Sequence, residues 1–145
     1  MRKILWCLGI LALVLDADET TLQRQIVHIV VQALTAPSTT IAIYSDKPRR
    51  AWDLLHDGDT VHIVNKPQRA NLCLFFERYE KGLCREKPIF FLSRHLFRHH
   101  AHDAAAAFYW QKGRPNVIFC KEWLRKHRWQ LPDDLQKFTA ECEPF

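Results

Sequence analysis

Three histidines in one short stretch have the spacing of a metal site. If the chain is helical from Ser93 onward, His95, His99 and His102 fall at positions i, i+4 and i+7 and share one helix face. Imidazole nitrogens at this spacing can hold zinc or copper, and Asp103 could serve as a further ligand. The pattern therefore predicts a zinc or copper site as one possible binding function.

The same stretch also has a simpler interpretation, an exposed basic loop. Arg94 and Arg98 stand between the histidines, and their positive charge disfavours a bound cation. The helical zinc motif HExxH has a glutamate after its first histidine, whereas Leu96 follows His95 here, so metalloprotease chemistry is not supported. No CxxCH motif occurs, which excludes covalent c-type haem.

Signatures of catalysis are missing from the sequence. There is no GxSxG motif and no glycine-rich phosphate loop, and the whole chain has only four glycines. Acidic pairs such as Asp57 and Asp59 have the positions expected of turns and helix starts. We therefore expect a noncatalytic protein and place an enzyme last among the function classes.

Aromatic residues near the C-terminus form a second candidate binding feature. On a strand, Phe108 and Trp110 would share one face and Tyr109 would take the other. One set must cover the core, and the other could meet a protein partner with Lys112 and Arg114 at its rim. We predict Tyr109, Trp110, Lys112 and Arg114 as partner-binding residues; the alternative is that the aromatic side chains all pack internally.

The N-terminal residues have the pattern of an export signal. Arg2 and Lys3 precede an uninterrupted apolar run, Ile4–Leu15, and Ala17 is a small residue suited to cleavage. Twelve apolar residues suit a signal peptide better than a membrane span. We predict a signal peptide over residues 1–17 and a periplasmic domain over residues 18–145. An uncleaved anchor and a buried first helix are the alternatives.

Four cysteines remain after Cys7, which belongs to the predicted signal peptide. In an exported domain, Cys73, Cys84, Cys120 and Cys142 suggest two disulfides, with three possible pairings. Buried free thiols are the alternative. A polar segment over residues 77–87 contains Cys84, so we expect a loop that a disulfide fixes in place.

Composition is ordinary for one globular domain and narrows the choice of partner. The chain has 145 residues, 48% hydrophobic and 26% charged, with a formal net charge of +5. The cations are scattered, as on solvated surfaces, and export argues against a nucleic-acid partner. An anionic ligand or a membrane head-group surface remains open.

Hydrophobic periodicity predicts an α/β domain. A helix is expected from Thr20 or Thr21 to before Pro37, and a second from Pro48; strands are expected over 39–45, 60–64, 71–76 and 88–93. A short helix should begin after Ser93, followed by a hairpin around QKGRP whose first strand starts near Ala106. The alternative continues this helix through the alanines to Gly113.

The C-terminal segments KEWLRKHRW and DDLQKFTAE are predicted as two helices. The predicted fold is a single domain with a mostly parallel sheet of about five strands, a C-terminal β-hairpin and flanking helices.

The order and hydrophobic pattern of these segments resemble one known family. TIAIYS, NLCLFF and PIFFLS, then AAFYWQKGRPNVIF, a helix and a Leu-Pro step, are similar to the YfiR-like proteins, small periplasmic repressors of membrane diguanylate cyclases. The chain departs from that family's pattern at HDAAAA and at Cys120-Lys121. The resemblance implies a noncatalytic periplasmic sensor or regulator that binds the extracytoplasmic part of a membrane signalling protein by reversible occlusion, with disulfide state as a candidate gate.

Such domains are also similar to one lobe of a periplasmic solute-binding protein. This second resemblance implies the alternative function, a periplasmic ligand-binding protein for a small anion, or for a metal through the histidine cluster. A homodimer is compatible with either function.

Overall fold

The computed structural model of the protein describes residues 19–36, 39–56 and 59–143, and the predicted signal peptide lies outside these ranges. Its α-helices are α1 (Glu19–Thr35), α2 (Pro48–Leu55), α3 (Arg94–His100) and α4 (Lys121–Lys126). The strands are β1 (Ile41–Ser45), β2 (Val61–Ile63), β3 (Leu72–Phe75), β4 (Ile89–Phe91), β5 (Ala106–Gln111), β6 (Arg114–Cys120) and β7 (Thr139–Ala140). Short 3₁₀ helices cover Pro67–Arg69, Ala101–Asp103 and Asp133–Phe138.

Within these residues, seven strands form one sheet in the order β2-β1-β3-β4-β5-β6-β7. All neighbouring strands are parallel except β5 and β6, which form an antiparallel hairpin. The predicted α/β class, mostly parallel sheet and C-terminal hairpin are confirmed. The sheet has seven strands instead of the expected five or so. One of them, β7, is only two residues long and was not predicted.

Helices cover both faces of the sheet. α1 and α2 pack against each other on one face, where Val30 of α1 and Val117 of β6 line the same groove. α3 lies on the other face, where its Phe97 stacks on Tyr109 of β5. β3 and β4 are buried along their whole length, as expected for central strands with both faces covered.

The connection between β3 and β4 crosses over without a helix. Parallel neighbours need such a crossover, and most proteins build it from a helix. Here residues 76–88 form a loop on the α3 face, and the Cys73–Cys84 disulfide ties that loop to β3, with 6.5 Å between the Cα atoms. The expectation of a loop fixed through Cys84 is confirmed.

The second disulfide, Cys120–Cys142, joins the end of β6 to the segment after β7, with 5.4 Å between the Cα atoms. Both predicted disulfides are therefore present, and they settle the pairing that the sequence left open. All four cysteines of these two disulfides are buried.

The hairpin follows the strand prediction and excludes the helical alternative. β5 begins at Ala106, and Gln111 pairs with Arg114 across a two-residue turn. Lys112 and Gly113 have φ angles of 51° and 73°, as a type I′ turn requires at both central positions. Gly113 adopts this conformation without the Cβ crowding that other residues meet.

The predicted final helix over 133–141 forms as a 3₁₀ helix up to Phe138 and is wrong after it. A 3₁₀ helix covers Asp133–Phe138, and Thr139 and Ala140 then pair with Phe119 and Cys120 as strand β7. The neighbouring Cys120–Cys142 disulfide and this pairing hold the segment extended. The preceding predicted helix is also shorter, since α4 ends at Lys126 and Arg128 has a φ of 51°.

Candidate functional site

The three histidines that were predicted as metal ligands lie in two separate places. Ser93 caps α3, as predicted, because its Oγ accepts a hydrogen bond from the N–H of Leu96 at 3.3 Å. Within α3, His95 and His99 are one turn apart and lie side by side, with ring centroids 4.5 Å apart. α3 ends at His100, and the tighter 3₁₀ turn that follows places His102 near Glu122, with 3.9 Å between Nδ1 and Oε2.

The assumed continuous helix is therefore wrong, and the three predicted ligands do not converge. Within residues 19–36, 39–56 and 59–143, no three His, Cys, Asp or Glu side chains come together as a metal site. His95 and His99 instead share a shallow concavity of about 330 Å³ with Arg94 and Arg98, two cations that repel a metal ion. Zinc or copper binding therefore stays a prediction, and the described residues place no third ligand beside His95 and His99.

The predicted partner-binding residues of the hairpin divide by burial. Tyr109 and Trp110 are half-buried; Tyr109 stacks on Phe97 at 6.1 Å, and Trp110 meets Phe108 edge-on at 5.8 Å. Lys112 and Arg114 are exposed at the turn. Both aromatic side chains thus contribute to packing, while the two cations face solvent.

An apolar groove runs between α1, β6 and the 3₁₀ helix Asp133–Phe138. It has a volume of about 220 Å³ and is lined by Ile26, Ile29, Val30, Pro115, Val117, Phe119, Leu135 and Phe138, with no charged side chain among them. Ile29 is 49% exposed and Phe138 38% exposed, although both are large apolar residues. Contiguous exposed apolar surface is one feature of interaction sites.

The strand beside this groove also has an open edge. β7 pairs only with Phe119 and Cys120, so the outer edge of β6 from Arg114 to Ile118 has no neighbouring strand in the described part of the chain. Such an edge can accept an added strand, although Pro115 cannot donate a backbone hydrogen bond there.

A polar cleft lies on the opposite face of the sheet. It has a volume of about 420 Å³, and its walls are the loop after β3, the 3₁₀ helix Ala101–Asp103 and α4. The Tyr79 hydroxyl donates a hydrogen bond to Asp103 at 2.9 Å. Burial raises the pKa of Tyr79 well above its usual range, and the hydrogen bond and charge of Asp103 raise it further.

The other wall of the cleft carries His127. Its ring stacks on Trp123 with centroids 4.4 Å apart. Burial lowers the pKa of His127, the charge of Lys126 lowers it further, and Glu86 acts in the opposite direction. The cleft is therefore built from polar groups that largely contact one another.

A third position follows from the strand order. Doubly wound sheets bind ligands at the carboxyl ends of the strands where the order reverses, which here is between β1 and β3. The carboxylate of Asp46 already fills this position and accepts hydrogen bonds from the N–H groups of Phe76, Glu77 and Arg78 at 2.8, 2.9 and 2.8 Å. The protein's own side chain thus takes the place of an anion.

Sequence reasoning missed both the groove and the role of Asp46. Ile29 has the helical spacing of the apolar residues of α1, so the sequence does not distinguish it from core residues, and Phe138 lies at the end of a helix that is 3₁₀ instead of the predicted longer helix. Asp46 is only the residue that follows the predicted strand 39–45. One signal in the sequence could have indicated the groove. The segments 26–30 and 115–119 contain more apolar residues than a single buried face of a helix or strand requires.

No family model matches the chain, and no curated protein matches it. Within residues 19–36, 39–56 and 59–143, no helix is long and apolar enough to cross a bilayer. The two disulfides fit an oxidising compartment outside the cytoplasm.

Proposed function

We propose that the protein is a noncatalytic periplasmic regulator that binds an apolar segment of a membrane signalling protein's extracytoplasmic part. The observation that carries this proposal is the apolar groove, in which Ile29 and Phe138 are partly exposed. Apolar side chains of a partner would remove this surface from water, and each large one contributes about 1.5–3 kcal/mol when fully buried.

The open edge of β6 supports an extended segment as the occupant. A strand added beside residues 114–118 would continue the sheet where β7 stops, and every second side chain would face the groove. Val117 and Phe119 alternate with Ile118 in this way and line the groove. Backbone hydrogen bonds would then supply affinity, and the apolar lining would supply specificity.

The ligand-binding alternative would use the polar cleft. Its groups already have partners within the protein, namely the Tyr79–Asp103 hydrogen bond, the His102–Glu122 pair and the Trp123–His127 stack. A ligand would have to replace these contacts. A partner that covers the apolar groove would break no such hydrogen bond, ion pair or ring contact. This difference favours the regulator.

A peptide array tests the proposal. The array carries overlapping peptides from the extracytoplasmic segments of the host's membrane proteins, and the oxidised protein is applied to it. We expect peptides with alternating apolar residues to bind, and Ile29→Asp to weaken them more than tenfold because a charge enters the groove.

The matched control is Trp52→Asp, which changes another exposed apolar side chain (45% exposed) outside the groove. It should bind the same peptides as the unaltered protein. An array on which no peptide separates Ile29→Asp from Trp52→Asp would contradict the proposed docking site.

A further inference from the structure

The sheet brings five basic connections to one edge. β1 to β5 run parallel, so their carboxyl ends lie at the same edge. The residues directly after them are 46–50, 64–66, 76–78, 92–95 and 112–114, and together they contain eight Lys or Arg and two acids. We call this set the basic edge.

The cations of the basic edge are spread along its whole length. Lys47, Arg49 and Arg50 stand at the start of α2. Lys66, Arg78 and Arg94 follow β2, β3 and β4 and are all exposed. Lys112 and Arg114 project furthest, because β5 continues to Gln111 although its pairing with β4 ends at Ala107.

Both acids of the basic edge are engaged within the protein. Asp46 accepts three backbone hydrogen bonds, as described above. Glu77 lies 3.3 Å from the Nζ of Lys47 and 3.6 Å from a guanidinium nitrogen of Arg50. The uncompensated charge that faces solvent at this edge is therefore positive.

The helix that starts at the basic edge has an unusual charge pattern. Helix N-termini carry partial positive charge and favour acids in the first turn, as Glu19 in α1 and Glu122 in α4 illustrate. α2 has no acid in its first turn and carries Arg49 and Arg50 there instead. This pattern adds to the positive potential instead of neutralising it.

An exposed tryptophan lies next to these cations. Trp52 is 45% exposed, stacks on His56 at 5.3 Å and stands one helical turn after Arg49. Tryptophan beside basic residues is typical of surfaces that rest on the head-group region of a membrane.

The N-terminus of the described chain lies on the same side. α1 ends just before β1 begins, and its Ala33 carbonyl accepts a hydrogen bond from the Trp129 indole at 2.9 Å, at the far edge of the sheet. α1 therefore starts on the side of the basic edge.

We propose that the basic edge, with Trp52, docks on a bilayer rich in anionic phospholipid. A charge spread over five connections fits a layer of phosphate groups better than a single small ligand. This proposal does not rest on the partner in the apolar groove, since no residue that lines the groove belongs to the basic edge; only Arg114 is also next to the proposed partner strand.

Vesicle co-sedimentation tests this docking with the purified, oxidised protein. We expect binding to vesicles of phosphatidylglycerol and phosphatidylcholine, loss of binding at high salt, and no binding to pure phosphatidylcholine. The double variant Arg49→Glu, Lys66→Glu should weaken partitioning at least tenfold, since each basic residue near an anionic surface contributes roughly fivefold.

The matched control reverses two cations of α4, at the opposite edge, as Lys121→Glu, Lys126→Glu. It has the same net charge as the double variant and should change partitioning less than twofold. Equal losses in both variants would overturn the proposal, because they would show an effect of net charge alone. Absence of binding to the anionic vesicles would overturn it as well.

A second readout locates the contact. Brominated phosphatidylcholine in the anionic vesicles should quench tryptophan fluorescence, and Trp52→Phe should remove most of this quenching while leaving sedimentation nearly unchanged. Unaltered quenching in Trp52→Phe would place the contact elsewhere and contradict the proposal. Competition by soluble glycerophosphoglycerol would also contradict it, because it would indicate a site for single head groups.

Discussion

The apolar groove and the polar cleft lie on opposite faces of one sheet and differ in how their lining groups are satisfied. In the cleft, Tyr79 bonds to Asp103, and His127 stacks on Trp123. In the groove, Ile29 and Phe138 keep 49% and 38% of their surface exposed. Polar and aromatic groups that contact one another stabilise the fold. Exposed apolar surface, in contrast, lowers the free energy only when another molecule covers it. We therefore propose that the cleft contributes to stability and that the groove is the binding surface.

The largest expected effect comes from the wall of the cleft. The double variant Cys73→Ala, Cys84→Ala removes the disulfide that fixes the helix-free loop after β3. We expect the free energy of unfolding in urea to fall by about 2–5 kcal/mol, because the unfolded chain regains conformational freedom. A loss below about 1 kcal/mol would show that the loop holds its place without the disulfide, and the cleft would lose its structural role.

A charge in the groove should separate binding from stability. Ile29→Asp should lower peptide affinity more than tenfold, or about 1.4 kcal/mol. It should change the free energy of unfolding by only about 0.5 kcal/mol, because the side chain is half exposed. Gln25→Asp, an exposed position on the same helix, is the control and should change neither quantity. A loss of stability as large as the loss of affinity would mean that Ile29 belongs to the core.

Tyr79→Phe should have a smaller effect on stability. It removes one hydrogen bond to Asp103, which contributes about 1 kcal/mol. Because the folded protein raises the pKa of Tyr79, the unfolded chain ionises first, at about pH 10. The contribution of Tyr79 is therefore complete below that pH and is lost as pH rises further. Urea unfolding at rising pH should show a shallower decline for Tyr79→Phe than for the unaltered protein; equal slopes would contradict this.

The smallest expected effect is a shift in one titration. The pKa of His127 is lowered, mainly by burial and then by Lys126. NMR should show His127 titrating below the usual value of about 6.5, and Lys126→Gln should raise it. Since its neutral form is favoured in the fold, the contribution of His127 is present above that pH and is lost as pH falls. Lys121→Gln serves as the control, and an equal rise in both variants would exclude a local effect of Lys126.

The sequence was sufficient where periodicity and local chemistry agree. The β-branched run before Asp46, the Ser93 cap and the Gly113 turn each favour one local structure, and the fold follows them. The start of β5 at Ala106 was predicted against the helix propensity of alanine, because Phe108, Tyr109 and Trp110 favour a strand.

The candidate site could not be predicted in the same way, since it depends on contacts between distant segments. A single 3₁₀ turn after His100 moved His102 away from His95 and His99. Phe138 reached the groove because β7 pairs with β6, and no local signal distinguishes that strand from the predicted helix. The position of Asp46 required the strand order, which periodicity does not give.

Photo-crosslinking in intact cells tests the central claim most directly. A photoreactive phenylalanine analogue replaces Phe138 in the groove in one strain and Glu86 at the cleft in another. We predict one crosslinked membrane protein for position 138, lost on adding Ile29→Asp, and none for position 86. A membrane protein captured from position 86 but not from position 138 would contradict it and place the binding function in the cleft.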